Sequence, residues 1–174
     1  MPLNTYKTKF QEFLNSEKIN NQIFESVELV KTKKRLFFIG NGGSNSICSH
    51  MMEDYAKIAN YPTFSFSDAS LITCFANDYG FENAMTEWLK IHFTEGDLLV
   101  AISSSGNSPN INNAVDYVNS GKGEVITLTG FNKNNQLFGK GKINFWLDSN
   151  SYGIVECYHQ TILHIILDEL HANK

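Results

Sequence analysis

Residues 35–44 read Arg35-Leu36-Phe37-Phe38-Ile39-Gly40-Asn41-Gly42-Gly43-Ser44, an apolar run that stops abruptly at a glycine-rich turn. Consecutive apolar positions with no polar alternate predict a strand buried on both faces. The glycines predict a tight turn out of that strand, and residues 44–57 read as the helix that follows it. A buried strand delivering the chain through a turn into a helix is the opening of a β-α-β unit, which requires a parallel partner strand.

Further runs of the same kind lie downstream. Residues 63–66, 97–102, 124–128 and 143–147 are strand candidates, and helical stretches near 69–76, 83–93, 109–120 and 154–171 separate or follow them. Strand and helix therefore alternate, which predicts an α/β fold with a five-stranded, mostly parallel sheet covered by helices on both faces. Upstream, Phe10, Phe13, Leu14, Ile19, Ile23, Val27 and Val30 fall mostly three to five residues apart. This is a helical spacing, with Asn15 and Ser16 as a break between two helices. Residues 1–34 are accordingly expected to form an N-terminal helical segment that packs on the domain formed by residues 35–174. The polar stretch 130–142 reads as a connection.

The 174 residues suit one domain with a full core, and 42% hydrophobic residues, 13 of them phenylalanine, supply it. The formal charge is −4, and the densest basic stretch, Lys31, Lys33, Lys34 and Arg35, leads directly into a strand. A nucleic-acid partner would want a basic face, so none is expected. Cys48, Cys74 and Cys157 are odd in number and form no Cys-x-x-Cys pair, which argues against a disulfide framework and a cysteine-held zinc. Residues 1–10 are polar, and no run of about eighteen apolar residues occurs. No membrane association and a cytoplasmic location are expected.

In a doubly wound sheet a ligand sits beyond the carboxyl ends of the strands. Two such ends carry unusual residues: Gly40 to Ser44, and Ser103-Ser104-Ser105-Gly106-Asn107-Ser108. Glycines let backbone approach a ligand, a helix starting at the turn offers unpaired N–H groups to an anion, and serine hydroxyls can donate to phosphate oxygens. Either turn alone reads equally as a connection or a helix cap; two at the ends of neighbouring strands point to a ligand. Neither contains lysine, and the first lacks the dinucleotide spacing, so nucleotide cofactors are disfavoured.

These two turns, together with Asn77-Asp78-Tyr79-Gly80-Phe81 and with Pro109-Asn110 directly after the serine run, resemble the bacterial phosphoheptose isomerases. Those are sugar-isomerase (SIS) domain proteins that convert sedoheptulose 7-phosphate to a glycero-manno-heptose 7-phosphate. The resemblance spans residues 35–170 in the same order. It implies a flavodoxin-like SIS domain, a homotetramer with active sites at subunit interfaces, and an N-terminal segment that also packs on partner subunits. It implies sugar-phosphate contacts from Asn41, Gly42, Gly43, Ser44, Asn77, Asp78, Ser103, Ser104, Ser105, Ser108 and Glu156.

It further implies a divalent metal, zinc first, held by His50, Asp54, Glu156 and His164, with Asp54 and His164 sharing the base and acid roles. The family carries glutamate at the position of Asp54, glutamine at Glu156, arginine at Ile58, and aspartate and arginine at Gly153 and Ile154. Read without the resemblance, His50 and Asp54 are four apart on a helix and could grip one ion, or could be a surface pair with His164 a core histidine. Glu156 and His164 on one straight helix would lie roughly 12 Å apart along its axis. Both can serve one ion only if the helix starts after Glu156 or a neighbouring subunit supplies one of them. An isomerase for a different sugar phosphate, or a non-catalytic SIS module binding a sugar phosphate or a protein, are the alternative functions.

Overall fold

Every residue of β1 (Leu36–Ile39) is buried, and successive side chains enter two different cores. Leu36 and Phe38 join one apolar cluster, Phe37 and Ile39 the other. The same division recurs in β3 (Leu98–Ser103), where Leu98, Val100 and Ile102 face the first cluster and Leu99 and Ala101 the second. A strand apolar on both faces is stable only when helices cover both. The computed structural model, which describes residues 2–172, shows that covering.

β2 (Thr63–Ser65), β4 (Glu124–Thr129) and β5 (Ile143–Trp146) complete an all-parallel sheet in the order β2-β1-β3-β4-β5. The first core is covered by α1 (Pro2–Leu14), α2 (Glu17–Lys31), α3 (Gly43–Lys57) and α7 (Tyr152–Ala172). The second is covered by α4 (Ala69–Tyr79), α5 (Phe81–His92) and α6 (Pro109–Asn119). From β1 the chain passes outward to β2, then returns across β1 to β3. The connections that leave the carboxyl ends of β1 and β3 therefore run in opposite directions and open a crevice between them.

Sequence expectation and structure differ mainly at element ends. The expected break at residues 15–16 is present: Ser16 caps α2 by accepting from the Ile19 amide. β2 ends at Ser65, one residue before the expected Phe66, whose ring lies in the second core at 1% exposed. α4 runs on to Tyr79, and α5 starts immediately after Gly80. Residues before 35 pack into the first core with the sheet, as the edge contact of Phe13 with Tyr158 at 4.6 Å between ring centroids shows. α7 begins at Tyr152, so Glu156 and His164 do share one helix.

His159, on the same helix, is fully buried. Its Nε2–H donates to the Thr129 carbonyl at 3.2 Å, and Nδ1 has no partner among the described residues. Burial pushes its pKa from the ordinary 6.5 down to about 4. An unfolded imidazole binds a proton below about 6.5, while the native one stays neutral until about 4. The stability gained by burying it neutral is thus intact above this window and drains as pH falls through it, at up to about 1.4 kcal/mol per pH unit. Urea unfolding measured between pH 7 and pH 4 is expected to show this slope, and His159→Gln to flatten it; equal slopes would exclude His159 as the source.

Candidate functional site

The crevice at the sheet switch point is a cleft of about 250 Å³ lined by Asn41, Gly42, Gly43, Ser44, Ile102, Ser103, Ser104, Ser105, Ser108, Tyr152 and Glu156. Its floor is made of helix starts. Gly42 precedes α3 with φ 53° and ψ −123°, a conformation open to glycine and strained for other residues. It offers no side chain to cap the helix. Ser108 precedes α6 and likewise makes no side-chain cap, whereas Asp68 caps α4 by accepting from the Ser70 and Leu71 amides. Two helix N-termini thus meet the cleft without a side-chain oxygen on their first-turn N–H groups, which leaves those groups to an incoming anion.

Hydroxyls supply the opposite wall. Ser103 Oγ lies 3.3 Å from Ser108 Oγ and accepts from the Gly106 amide, which fixes the serine turn. Ser104 Oγ is buried with no partner among the described residues, and its residue, 6% exposed, lines the cleft. A buried hydroxyl without a hydrogen bond is costly, and a ligand oxygen in the cleft would satisfy it. The two turns are tied together by Asn41 and Asn110, whose amides exchange reciprocal 2.9 Å hydrogen bonds. No lysine or arginine is among the lining residues, so an anion here would be held by helix dipoles, N–H groups and hydroxyls.

His50, Asp54 and His164 come together two helical turns farther down α3 and α7, with one donor atom from each within 4.8 Å of the others. His50 Nε2 is 3.1 Å and His164 Nδ1 3.9 Å from Asp54 Oδ2, and the imidazole rings meet edge to face at 5.2 Å. Zinc bonds to nitrogen and oxygen of about 2.0–2.2 Å put tetrahedral donors roughly 3.3 Å apart. Small side-chain rotations that close the widest of these gaps would suit the three donors to a divalent ion, and their partial exposure leaves room for a substrate oxygen.

A groove of about 440 Å³ lined by Gly43, Ser46, Ile47, Glu156, Cys157, Gln160 and Thr161 borders the cleft on the side of the cluster. It shares Gly43 and Glu156 with the cleft, and Gln160 touches both imidazoles. At 1.5 Å per residue, the seven residues from Gly43 to His50 make the separation about 10 Å, the scale of an extended sugar phosphate.

Nine of the residues expected at the site line the cleft: Asn41, Gly42, Gly43, Ser44, Ser103, Ser104, Ser105, Ser108 and Glu156. Glu156 is packed so close to the start of α3 that a β-carbon on Gly43 would overlap its carboxylate. It is not in the three-donor group, because α7 is continuous and sets it two turns from His164. Asn77 and Asp78 are exposed near the end of α4, hydrogen-bonded to each other at 2.8 Å and outside the cleft lining. Two site residues, Tyr152 and Gln160, escaped the sequence reading, and Asn110 entered it only as part of a motif. Tyr152 carries no pattern of its own, whereas Gln160, four before His164 on a helix, could have been found from that spacing.

The SIS domain family model matches residues 5–130. A phosphoheptose isomerase of Fusobacterium nucleatum is 33% identical, over 95% of this chain and 91% of that protein. A phosphoheptose isomerase of Proteus mirabilis is 29% identical, over 90% and 84%. Among solved structures, a phosphoheptose isomerase from Neisseria gonorrhoeae superposes with a TM-score of 0.87 at 22% identity, over 98% of this chain and 95% of that one. One from Francisella tularensis does so with a TM-score of 0.83 at 24% identity, over 99% and 95%. Among the described residues, no helix is long and apolar enough to cross a membrane.

Proposed function

The chain belongs to the phosphoheptose isomerase family of SIS-domain proteins, and from that membership we propose that it interconverts sedoheptulose 7-phosphate and D-glycero-D-manno-heptose 7-phosphate. The observation that carries the reading is an anion cleft bordered by a groove whose Gln160 touches both imidazoles of the His50, Asp54 and His164 cluster. The phosphate would dock on the first-turn amides of α3 and α6 and on the Ser103, Ser104, Ser105 and Ser108 hydroxyls. The carbon chain would then lie along the α3–α7 groove, with its carbonyl end at the cluster and Glu156 accepting from sugar hydroxyls on the way.

Ketose and aldose differ by a proton moved between adjacent carbons. A base takes the proton from C1 while an acid protonates the C2 carbonyl oxygen, giving an enediol. Return of a proton to C2 and loss of the O1 proton complete the aldose. Asp54 and His164 stand within reach of one another and are assigned the two roles in the ion-free site; where both donate to an ion, polarisation of the carbonyl would stand in for the acid and the second Asp54 oxygen would be the base. A divalent ion on His50, Asp54 and His164, with zinc the first choice from the N and O donors, would polarise the carbonyl as a Lewis acid.

Self-association is part of the same proposal. α4 buries none of its residues, and Tyr79, Phe81 and Ile91 are exposed at 48%, 54% and 64%. Those exposed apolar side chains, and the exposure of Asn77 and Asp78, are what a neighbouring subunit would explain. Sedimentation of the pure protein is expected to show a tetramer, and a monomer at working concentration would remove this part.

The function is tested by incubating the protein with sedoheptulose 7-phosphate in deuterium oxide and following the products by NMR. We expect the aldose to appear with deuterium at C2, and the rate to fall at least about a hundredfold after chelation and recover with added zinc. Turnover of a different sugar phosphate in place of the heptulose would transfer the reading to that substrate; none with any would refute it.

A further inference from the structure

We propose that Gln160 is a positioning residue that sets the tautomers of both cluster imidazoles, and that its amide turns over when a divalent ion binds. The inference rests on the metal reading above. Gln160 Nε2 lies 2.8 Å from His164 Nε2 and 3.3 Å from His50 Nδ1, with Met51 Sδ at 3.7 Å. These are the far nitrogens of the two rings. The near ones, His50 Nε2 and His164 Nδ1, face Asp54.

A side-chain amide has a donor end and an acceptor end. With the NH₂ toward the rings, both far nitrogens must accept. Each neutral imidazole then carries its single proton on the near nitrogen, aimed at the Asp54 carboxylate. This arrangement is self-consistent without an ion and matches the 3.1 Å approach of His50 to Asp54. It cannot hold a metal, because a protonated nitrogen has no lone pair to give.

Turning the amide by half a rotation puts Oε1 where Nε2 was. The carbonyl oxygen has two lone pairs and can accept from both far nitrogens, so the single proton of each ring moves to the far side. Both near nitrogens are then bare and, with Asp54, offer three donors to a cation. Neither ring changes charge, since each keeps one proton throughout. A neighbour that accepts from the non-ligating N–H of a metal-bound histidine is the general means of fixing tautomer and ring angle. Here one amide serves two histidines, and its reversal is what joins the ion-free and ion-bound forms.

The test uses full-length protein with ¹⁵N-labelled histidine, at a pH where free imidazole is neutral. In the ion-free wild type we expect the His50 proton on Nε2 and the His164 proton on Nδ1, read from two-bond ¹H–¹⁵N correlations. Zinc should move them to Nδ1 and Nε2 respectively. Gln160→Leu should lose the ion-free preference and weaken zinc affinity, measured by chelator competition, about 10- to 100-fold. Gln160→Glu, which can only accept, should hold the far protons in place even without zinc and keep the affinity. If Gln160→Leu does not fold, the near-isosteric Gln160→Glu still carries the tautomer measurement.

Unchanged tautomers in Gln160→Glu, or wild-type zinc affinity in a folded Gln160→Leu, would overturn the proposal. Failure of the wild type to bind zinc would instead overturn the metal reading. In that case the ion-free tautomers of wild type and Gln160→Glu would still decide what the amide does.

Discussion

Replacing His164 with alanine is expected to lower the isomerisation rate by about 10²–10⁴-fold, the usual worth of a positioned acid or base, while sugar-phosphate affinity stays close to wild type. The two readouts separate because the two halves of the site are separate. The phosphate end is built from residues 41–44 and 103–108, and His164 lies two helical turns away from it. Its side chain is 37% exposed, so truncation leaves no buried cavity and stability should move by no more than about 0.5 kcal/mol. Calorimetry with sedoheptulose 7-phosphate against the inactive variant measures binding without turnover. If affinity disappeared together with activity in a folded His164→Ala protein, the assignment of phosphate binding to the far cleft would be wrong.

The fold was legible because its strands carry their burial in their composition. Leu36 to Ile39 and Leu98 to Ile102 contain no polar residue, and only a two-sided core accepts that. The break at Ser16 was legible because serine has a chemical reason to stand at a helix start. Exact boundaries were not: β2 stops at Ser65 although Phe66 continues its alternation into the second core, against Phe75 and Trp88.

The cleft was legible for a related reason. Glycines and serines at strand ends have few structural uses in such density, and the topology brings those ends together. Pairing α3 with α7 is a different matter. His50 and Asp54 announce themselves by spacing, but the partner of Asp54 on α7 depends on how two helices cross. Glu156, at the start of α7, had been expected at the cluster; continuity of the helix puts it in the cleft, and Gln160 takes the place between. Asn77 and Asp78 show the converse limit, since their order in the chain says nothing of which way α4 turns them.

Gly40→Ala is expected to cripple the phosphate end of the site, although Gly40 is not among the residues that line it. A β-carbon there would lie 2.7 Å from the Ser44 carbonyl carbon, 2.8 Å from its oxygen and 3.0 Å from the Asn45 nitrogen. All three are backbone atoms of the first turn of α3, so no side chain can rotate out of the way and the helix start itself must move. Overpacking of this kind costs about 1–3 kcal/mol and sometimes more. The displaced turn is also the one whose free amides face the cleft. Its position is held by the Asn45 amide donating to Gly42 O at 3.0 Å and by Ser67 Oγ donating to Asn45 Oδ1 at 2.9 Å, bonds that a shift would stretch. A weakening of the amide–anion attraction by about 1.4 kcal/mol lowers affinity about tenfold, so sugar-phosphate affinity should fall by at least that factor along with the melting temperature. This is the reverse of the His164→Ala pattern, in which activity goes and binding remains. A Gly40→Ala protein with wild-type melting and wild-type affinity would mean that α3 tolerates the shift, and that close strand-to-helix approach is not what aims its amides into the cleft.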